Sequence, residues 1–453
     1  MSKILSAQIS NYFDRLWPLN RSITGDGVRK THKILQELIP FKIFEIPSGL
    51  KVYDWKVPKE WNITEAYIIT PEGKKICNIK ENNLHVLNYS SPINKIISLK
   101  ELQKHLFSIK ELPNAIPYFT SYYGHNWGFC IQDNIRKKLK PGKYKVLIKS
   151  KFTKGSMTIS EKVLKGKSKK EILFTTYTCH PSMANNELSG PLVQSFLYKK
   201  LLSLKNRYFT YRFVFHPETI GSITYLSIKG KYLKKNVIAA YNLTCLGLKN
   251  SKITYKKSKI GNSFSDFVAL EIIKKINKKK VEVLDFYPHG SDERQYSSPG
   301  YNLPMGVFMR GVPGSYKEYH TSLDNKKILS IKILIEMINI YYQIIKYFEK
   351  NKKKFTIKKI KNLKKDKREK GQFYLNLKPF CEPHLSKLNL QGTIGGKRGV
   401  HTNLNAIKWL LSFSDGKNSI EAISKKSGIN LKILKRNAIL CCKKKLLTSL
   451  VQF

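Results

Sequence analysis

Residues 171–191 read EILFTTYTCHPSMANNELSGP, and the change of texture along this stretch decides the fold. EILFTTY is an unbroken apolar and β-favouring run, as expected of a strand covered on both faces. A polar loop follows at once. PLVQSFLYKKLLSL then sets Leu192, Val193, Phe196 and Leu197 on one side of a helix. Strand, polar loop and amphipathic helix form the unit of a layered α/β sheet, whose functional loops collect at strand carboxyl ends. The pattern continues downstream. YRFVFHPE from 211 and NVIAAYNLTCLG from 236 read as further strands, and ILSIKILIEMINIYYQIIKYF from 328 as a long closing helix.

Working outward, residues 1–57 hold two helical patterns and then a strand-like run, FKIFEIPSG. Ile4, Ile9, Phe13 and Leu16 recur at helical spacing, and LNRSITGDGVR forms a polar loop in which Arg21 and Asp26 suggest an ordinary ion pair. Residues 58–150 alternate short β-type runs (AYIIT, LHVLNYS, YKVLIKS) with turns such as PEGK and KPGK, which predicts a mostly β domain inserted into the first. Residues 151–350 carry the main α/β pattern, and the lysine-rich stretch after 350 reads as a linker. Between 371 and 453 three helical patterns crowd together. Gly428 lies between two of them, as at a helix-turn-helix corner.

The formal charge of +52 invites a nucleic-acid reading. Lysine, however, is spread along the whole chain and greatly outnumbers arginine, whereas phosphate readers cluster charge and favour arginine forks. No nucleic-acid partner is therefore expected. Apolar residues in the third C-terminal pattern, Ile433, Leu434, Ile439 and Leu440, look committed to packing. No apolar run reaches the ~18 residues of a membrane span. The N-terminus lacks a signal-type core, and seven scattered cysteines form no CxxC pair. These features predict a cytoplasmic protein with reduced thiols; a homo-oligomer stays open.

Four loops gather the polar residues. TCHPSMANNELSGP brings His180, Asn185, Asn186 and Glu187, and FVFHPETIGS brings His216 and Glu218. HGSDERQY brings His289, Asp292 and Glu293, and YHTSLDN brings His320 and Asp324. Imidazoles and carboxylates converging at strand ends are what a catalytic zinc requires, with one position left for water.

The order of His, N-N-E-L-S-G, P-E-T-I-G-S and H-T-S-L-D resembles the co-catalytic zinc aminopeptidases and their glutaminyl-cyclase relatives. From about 10 to 450 the chain more closely resembles a bacterial aminopeptidase-like family labelled polysaccharide-biosynthesis proteins. It does so through LWPLNRSITGDGVR, YDWKVPKEW, YYGHNWGFC, CHPSMANNELSGP, HPETIGS, GSDERQYSSPGYNLP and EYHTSLDN. The resemblance implies a three-layer zinc-aminopeptidase-like sheet with a mostly β insert and a C-terminal winged helix. It implies that His180 and His320 are zinc ligands and that Glu218 deprotonates the metal-bound water. Asn186, however, stands where the bridging aspartate is expected, Thr219 replaces the next carboxylate, and Thr244 falls near the remaining aspartate. Two divalent cations a few ångströms apart need a bridging anion, so one zinc at most is expected. Its third ligand is open between Asn186, Glu187, Asp292 and Glu218. If Glu218 ligates, Asp292 or Glu293 becomes the base. Asp324 is expected to orient His320, and His216 and His289 to be structural or substrate-facing.

The function implied is hydrolysis of an amide in a small peptide-like or glycan-linked substrate. Its rivals are a non-catalytic binding module and a winged-helix DNA-binding regulator.

Overall fold

The computed structural model describes residues 2–357, 371–396 and 401–450. Its centre is a mixed eight-stranded sheet. In spatial order the strands are Lys42–Pro47, Ser156–Leu164, Thr210–His216, Glu171–Tyr177, Val237–Leu243, Met305–Met309, Ile253–Lys256 and Val281–Leu284. The four from Thr210–His216 to Met305–Met309 run parallel. Every residue of Glu171–Tyr177 and Thr210–His216 is buried, because helices cover both faces. Helix Ser189–Leu201 lies on one face with helices Ser2–Leu16 and Ile331–Lys350, and helix Ile220–Asn236 packs into a second core on the other.

The expected helical faces are occupied. Leu192, Val193, Phe196 and Leu197 are buried, as are Ile9, Phe13 and Leu16, while Ile4 is exposed. Gly190 shows why the N-N-E-L-S-G loop ends as it does. A Cβ there would stand 2.3 Å from the Thr176 hydroxyl and 2.5 Å from the Leu243 carbonyl, so only glycine lets the helix start against the sheet.

Strands Glu60–Ile69, Lys75–Ile76, Ile93–Ser98 and Lys143–Thr153 form a separate four-stranded antiparallel sheet. LHVLNYS is not a strand. It contains a 3-10 turn, Asn83–His85, capped by the Asn82 side chain, and then isolated bridges, because Asn82 offers the backbone a local hydrogen bond that competes with a ladder.

At the C-terminus helices Thr402–Phe413, Ile420–Ser427 and Leu431–Lys443 pack on a small sheet of Asp415–Ser419, Phe373–Asn376 and Leu447–Leu450. Gly428 turns the corner at φ 69°. Leu434 is in the core, Ile433 and Leu440 are half-buried, and Ile439, expected to pack, is 56% exposed beside Lys435 and Arg436. Most of the lysine-rich linker lies outside the described residues; helix Lys352–Ile357 is its described start. No helix among the described residues is long and apolar enough to cross a membrane.

His32 ties these layers together. It is fully buried and hydrogen-bonded to the hydroxyls of Ser160 (2.5 Å) and Thr178 (2.8 Å). Burial pushes its pKa down to about 3. The unfolded chain takes up this proton near pH 6.5 and the folded chain does not, so His32 makes stability fall as pH drops from about 6.5 towards 3. Urea unfolding between pH 7 and 4.5 should show this loss, and His32→Gln should remove about 1.4 kcal/mol per pH unit from its slope. An unchanged slope would mean that His32 is not buried neutral.

Candidate active site

The carboxyl ends of two adjacent parallel strands open on one cleft, a cavity of about 200 Å³. Glu171–Tyr177 delivers Cys179 and His180, and Thr210–His216 delivers Glu218 and Thr219. His320 comes from the loop before the last long helix. Residues from outside the main sheet complete the walls. Trp55, Tyr118, Tyr122 and Tyr123 supply an aromatic side, and the segment 382–396 with Lys408 supplies another.

His180 is held at three points. Its Nδ1 lies 2.9 Å from Glu187 Oε2, its carbonyl accepts from Arg21 Nε at 2.8 Å, and its Nε2 lies 3.7 Å from Glu218 Oε2. Arg21 therefore does not pair with Asp26, which sits at a helix start and pairs with Arg29. It lies fully buried 3.6 Å from Glu187 and also donates to the Leu16 carbonyl. Burial drives the Glu187 carboxyl well above its usual range and Arg21 pulls it back. An arginine does not deprotonate, so its charge requires Glu187 as counter-ion. Burial and the neighbouring guanidinium push His180 down to about 3, which keeps its ring neutral.

Cys179, His180 and Glu187 have ligand-type atoms within 4.8 Å of one another. The Arg21 charge beside that group opposes a dication, and the His180–Glu187 hydrogen bond already uses the inner ring nitrogen. The outer nitrogen faces the cleft. There the rings of His180 and His320 are 5.5 Å apart, with Tyr118 about equally close to both. His320 Nδ1 lies 3.0 Å from the Gly396 carbonyl. A carbonyl only accepts, so Nδ1 carries a proton.

Glu218 opens on the cleft with its side chain 23% exposed. Burial, with Asp292 nearby, pushes its pKa up to about 8. Asp292 itself receives the Thr219 amide (2.8 Å) and the Ser222 hydroxyl (2.7 Å). It thereby holds Thr219 at φ 63°, a left-handed conformation costly for a β-branched residue. Arg294 donates to the Thr219 hydroxyl from the other side. Glu293 turns away from the cleft into a buried pair with Lys256 at 2.6 Å, which lowers its pKa against the effect of burial.

Asn186 lies in one π-helical turn, Ala184–Leu188, and does not line the cleft. Its side-chain oxygen accepts from the Tyr177 hydroxyl at 3.2 Å, and the same hydroxyl reaches Thr244 at 2.6 Å. The carboxylate of Asp324 receives the amides of Asn185 (2.7 Å) and Asn186 (2.9 Å), so it caps this turn, a different task from the one expected of it. His216 bonds Tyr296 and is buried, and the His289 carbonyl accepts from Lys256.

Arg294 and Lys408 escape a sequence reading, and Arg21 is read there only as the partner of Asp26. The three-dimensional crossing brings Arg294 and Lys408 to the cleft and Arg21 beneath it.

The sheet order and a cleft at its strand ends define an aminopeptidase-like α/β protein joined to a C-terminal winged helix. The zinc aminopeptidase BSAP from Bacillus subtilis shares the fold, with a TM-score of 0.58 over 78% of this chain and 96% of that one at 13% identity. The chain belongs to the family described as a domain of unknown function, DUF4910, which matches residues 10–351; a winged helix-turn-helix family matches residues 372–449. A relative from Clostridium acetobutylicum is 42% identical over 428 residues, covering 94% of this chain and 93% of that protein. It is provisionally named a polysaccharide biosynthesis protein with aminopeptidase-like domain. A crystal structure from the same organism, provisionally called a peptidase, matches with a TM-score of 0.73 and 40% identity over 98% of this chain and 96% of that one.

Removing Arg21 leaves Glu187 buried without its counter-ion, a change that typically costs about 3–5 kcal/mol. Arg21→Met should lower stability in urea by that order, and Arg21→Met with Glu187→Met should recover a large part of it. A single variant as stable as the parent would show that the pair is not buried.

Proposed function

We propose that the cleft is the active site of a single-zinc hydrolase acting on an amide or peptide-like bond. The observation that carries the reading is a pair of histidines lining one cleft, their rings 5.5 Å apart and each backed at Nδ1 by an acceptor. Metal-binding histidines are oriented in this way, by a carboxylate or a carbonyl on the second ring nitrogen. Glu187 and the Gly396 carbonyl would play those parts. The rings stand 5.5 Å apart, a spacing at which two imidazoles could share one ion.

His180 and His320 would hold the ion, which when bound polarises a carbonyl and acidifies water. Glu218 is the carboxylate beside them, and it would take a proton from water and pass it to the leaving amine. Asn186 is proposed as scaffold, because its side-chain oxygen already serves Tyr177. Asp292 would fix the Thr219 backbone, and Glu293 would balance Lys256. A second arrangement is favoured by the 3.7 Å between Glu218 and His180: Glu218 would then complete a His₂Glu set. The relative's name suggests a substrate connected with surface-glycan assembly.

Metal analysis of the purified chain should find one zinc. His180→Ala and His320→Ala should each lose it. Glu218→Gln should keep the metal and lose about 10²–10⁴-fold in turnover if Glu218 is the base; loss of the metal would make it a ligand. Two tightly held zinc ions, or none in the parent chain, would sink the single-zinc reading, and none would favour a binding module.

A further inference from the structure

We propose that Lys408, carried by the winged-helix module, is the anion-recognition residue of this cleft, and that the substrate presents a carboxylate or phosphate to it. The inference takes the cleft to be the substrate site, as proposed above, and adds the charge class of what enters.

Helix Thr402–Phe413 buries Ile407, Trp409, Leu410 and Leu411 in the core of the module. Lys408 points the other way, into the cavity that holds His180, Glu218 and His320, with its side chain 13% exposed. Two cations there share one carboxylate as their ion-pair partner within 4 Å among the described residues, with Glu218 further off. Glu382 Oε2 lies 3.0 Å from Arg294 Nε and 3.9 Å from Lys408 Nζ. Arg294 spends its remaining nitrogens on the Ser291 carbonyl and the Thr219 hydroxyl. Glu382 is thus committed to Arg294, its closer contact, and reaches Lys408 only at the longer distance.

The ammonium of Lys408 has three donors, and 3.9 Å is too long for a hydrogen bond. Burial, followed by Arg294, lowers its pKa against the pull of Glu382 and Glu218, the direction expected of an under-compensated charge. A cation held away from water beside a half-shared carboxylate is relieved by an incoming anion.

The wall that carries it is fixed in place. Trp55 donates to the Glu382 carbonyl at 2.7 Å and stacks on His384 at 4.2 Å. The Glu382 amide donates to the Gln295 side-chain oxygen at 2.8 Å. The module therefore presents Lys408 at a set position, as a specificity residue must be presented.

The test is calorimetric titration of the full chain, with zinc and after chelation, using alanylalanine, alanylalanine amide and inorganic phosphate. Losing one partner of a desolvated ion pair weakens binding, so alanylalanine or phosphate should bind at least about thirtyfold more tightly than the amide. Lys408→Met should erase that difference without changing the melting temperature. Should that variant fail to fold, the parent chain still decides: the anion should protect Lys408 from acetic anhydride, as read by mass spectrometry. Tighter binding of phosphate than of alanylalanine assigns the phosphate source, and the reverse assigns the carboxylate. Equal or absent binding of all three probes, a preference that survives Lys408→Met, or labelling unaffected by the anion would overturn the proposal. Because binding is read without turnover and in both metal states, failure of the zinc reading leaves this result independent.

Discussion

A guanidinium with no exposure to water lies beneath the cleft, and the geometry of the site depends on how it is compensated. Taking Arg21 out of water costs several kcal/mol before any partner is counted. Glu187, the Leu16 carbonyl and the His180 carbonyl offset that cost, and they belong to three separate parts of the chain. The N-terminal helix end, the loop after the central strand and the π-helical turn are thus drawn to one point. Arg21 holds the backbone of His180 while Glu187 holds its ring. Displacing either would turn the imidazole away from the cleft.

The same floor explains why the proposal stops at one ion. Where the co-catalytic aminopeptidases are expected to carry carboxylates, this chain has Asn186, Thr219 and Thr244. Each neutral group is hydrogen-bonded. The Tyr177 hydroxyl joins Asn186 to Thr244, and Arg294 reaches Thr219. A second dication would stand near the Arg294 charge and lack a bridging anion, and at such distances in a sheltered site repulsion outweighs the pull of neutral oxygens.

Much of the α/β pattern was legible because burial on both faces writes strands as apolar runs and helices as stripes. EILFTTY and YRFVFH show the first, and Leu192, Val193, Phe196 and Leu197 the second. The ordered loops also pointed to His180, Glu218 and His320, which do meet at one cleft. Asn82 hid the fate of LHVLNYS, since a local cap overrode a β-type composition. Ile439 misled because an apolar residue on a small helix can face outward when its neighbours fill the core. Asp324 and Arg21 were read by their nearest polar companions in sequence, His320 and Asp26, whereas hydrogen bonds from the Asn185 and Asn186 amides tie Asp324 to the π-helical turn and an ion pair with Glu187 ties Arg21 to it. Pairing of that kind depends on chain crossings that no local pattern records.

The winged helix packs against the cleft instead of standing apart from it. Its segment 382–396 supplies the carbonyl that fixes the His320 tautomer, and its first long helix supplies Lys408. Phe286 against Phe413, and Trp55 against His384, bind it to the main sheet and the N-terminal part. A module tethered only by a linker could lift away and leave the cleft chemically complete. Here its withdrawal would remove a wall, a cation and the acceptor behind one of the two histidines. The module's segment 382–396 and Lys408 thus form one wall of the cleft on which the aminopeptidase-like sheet opens.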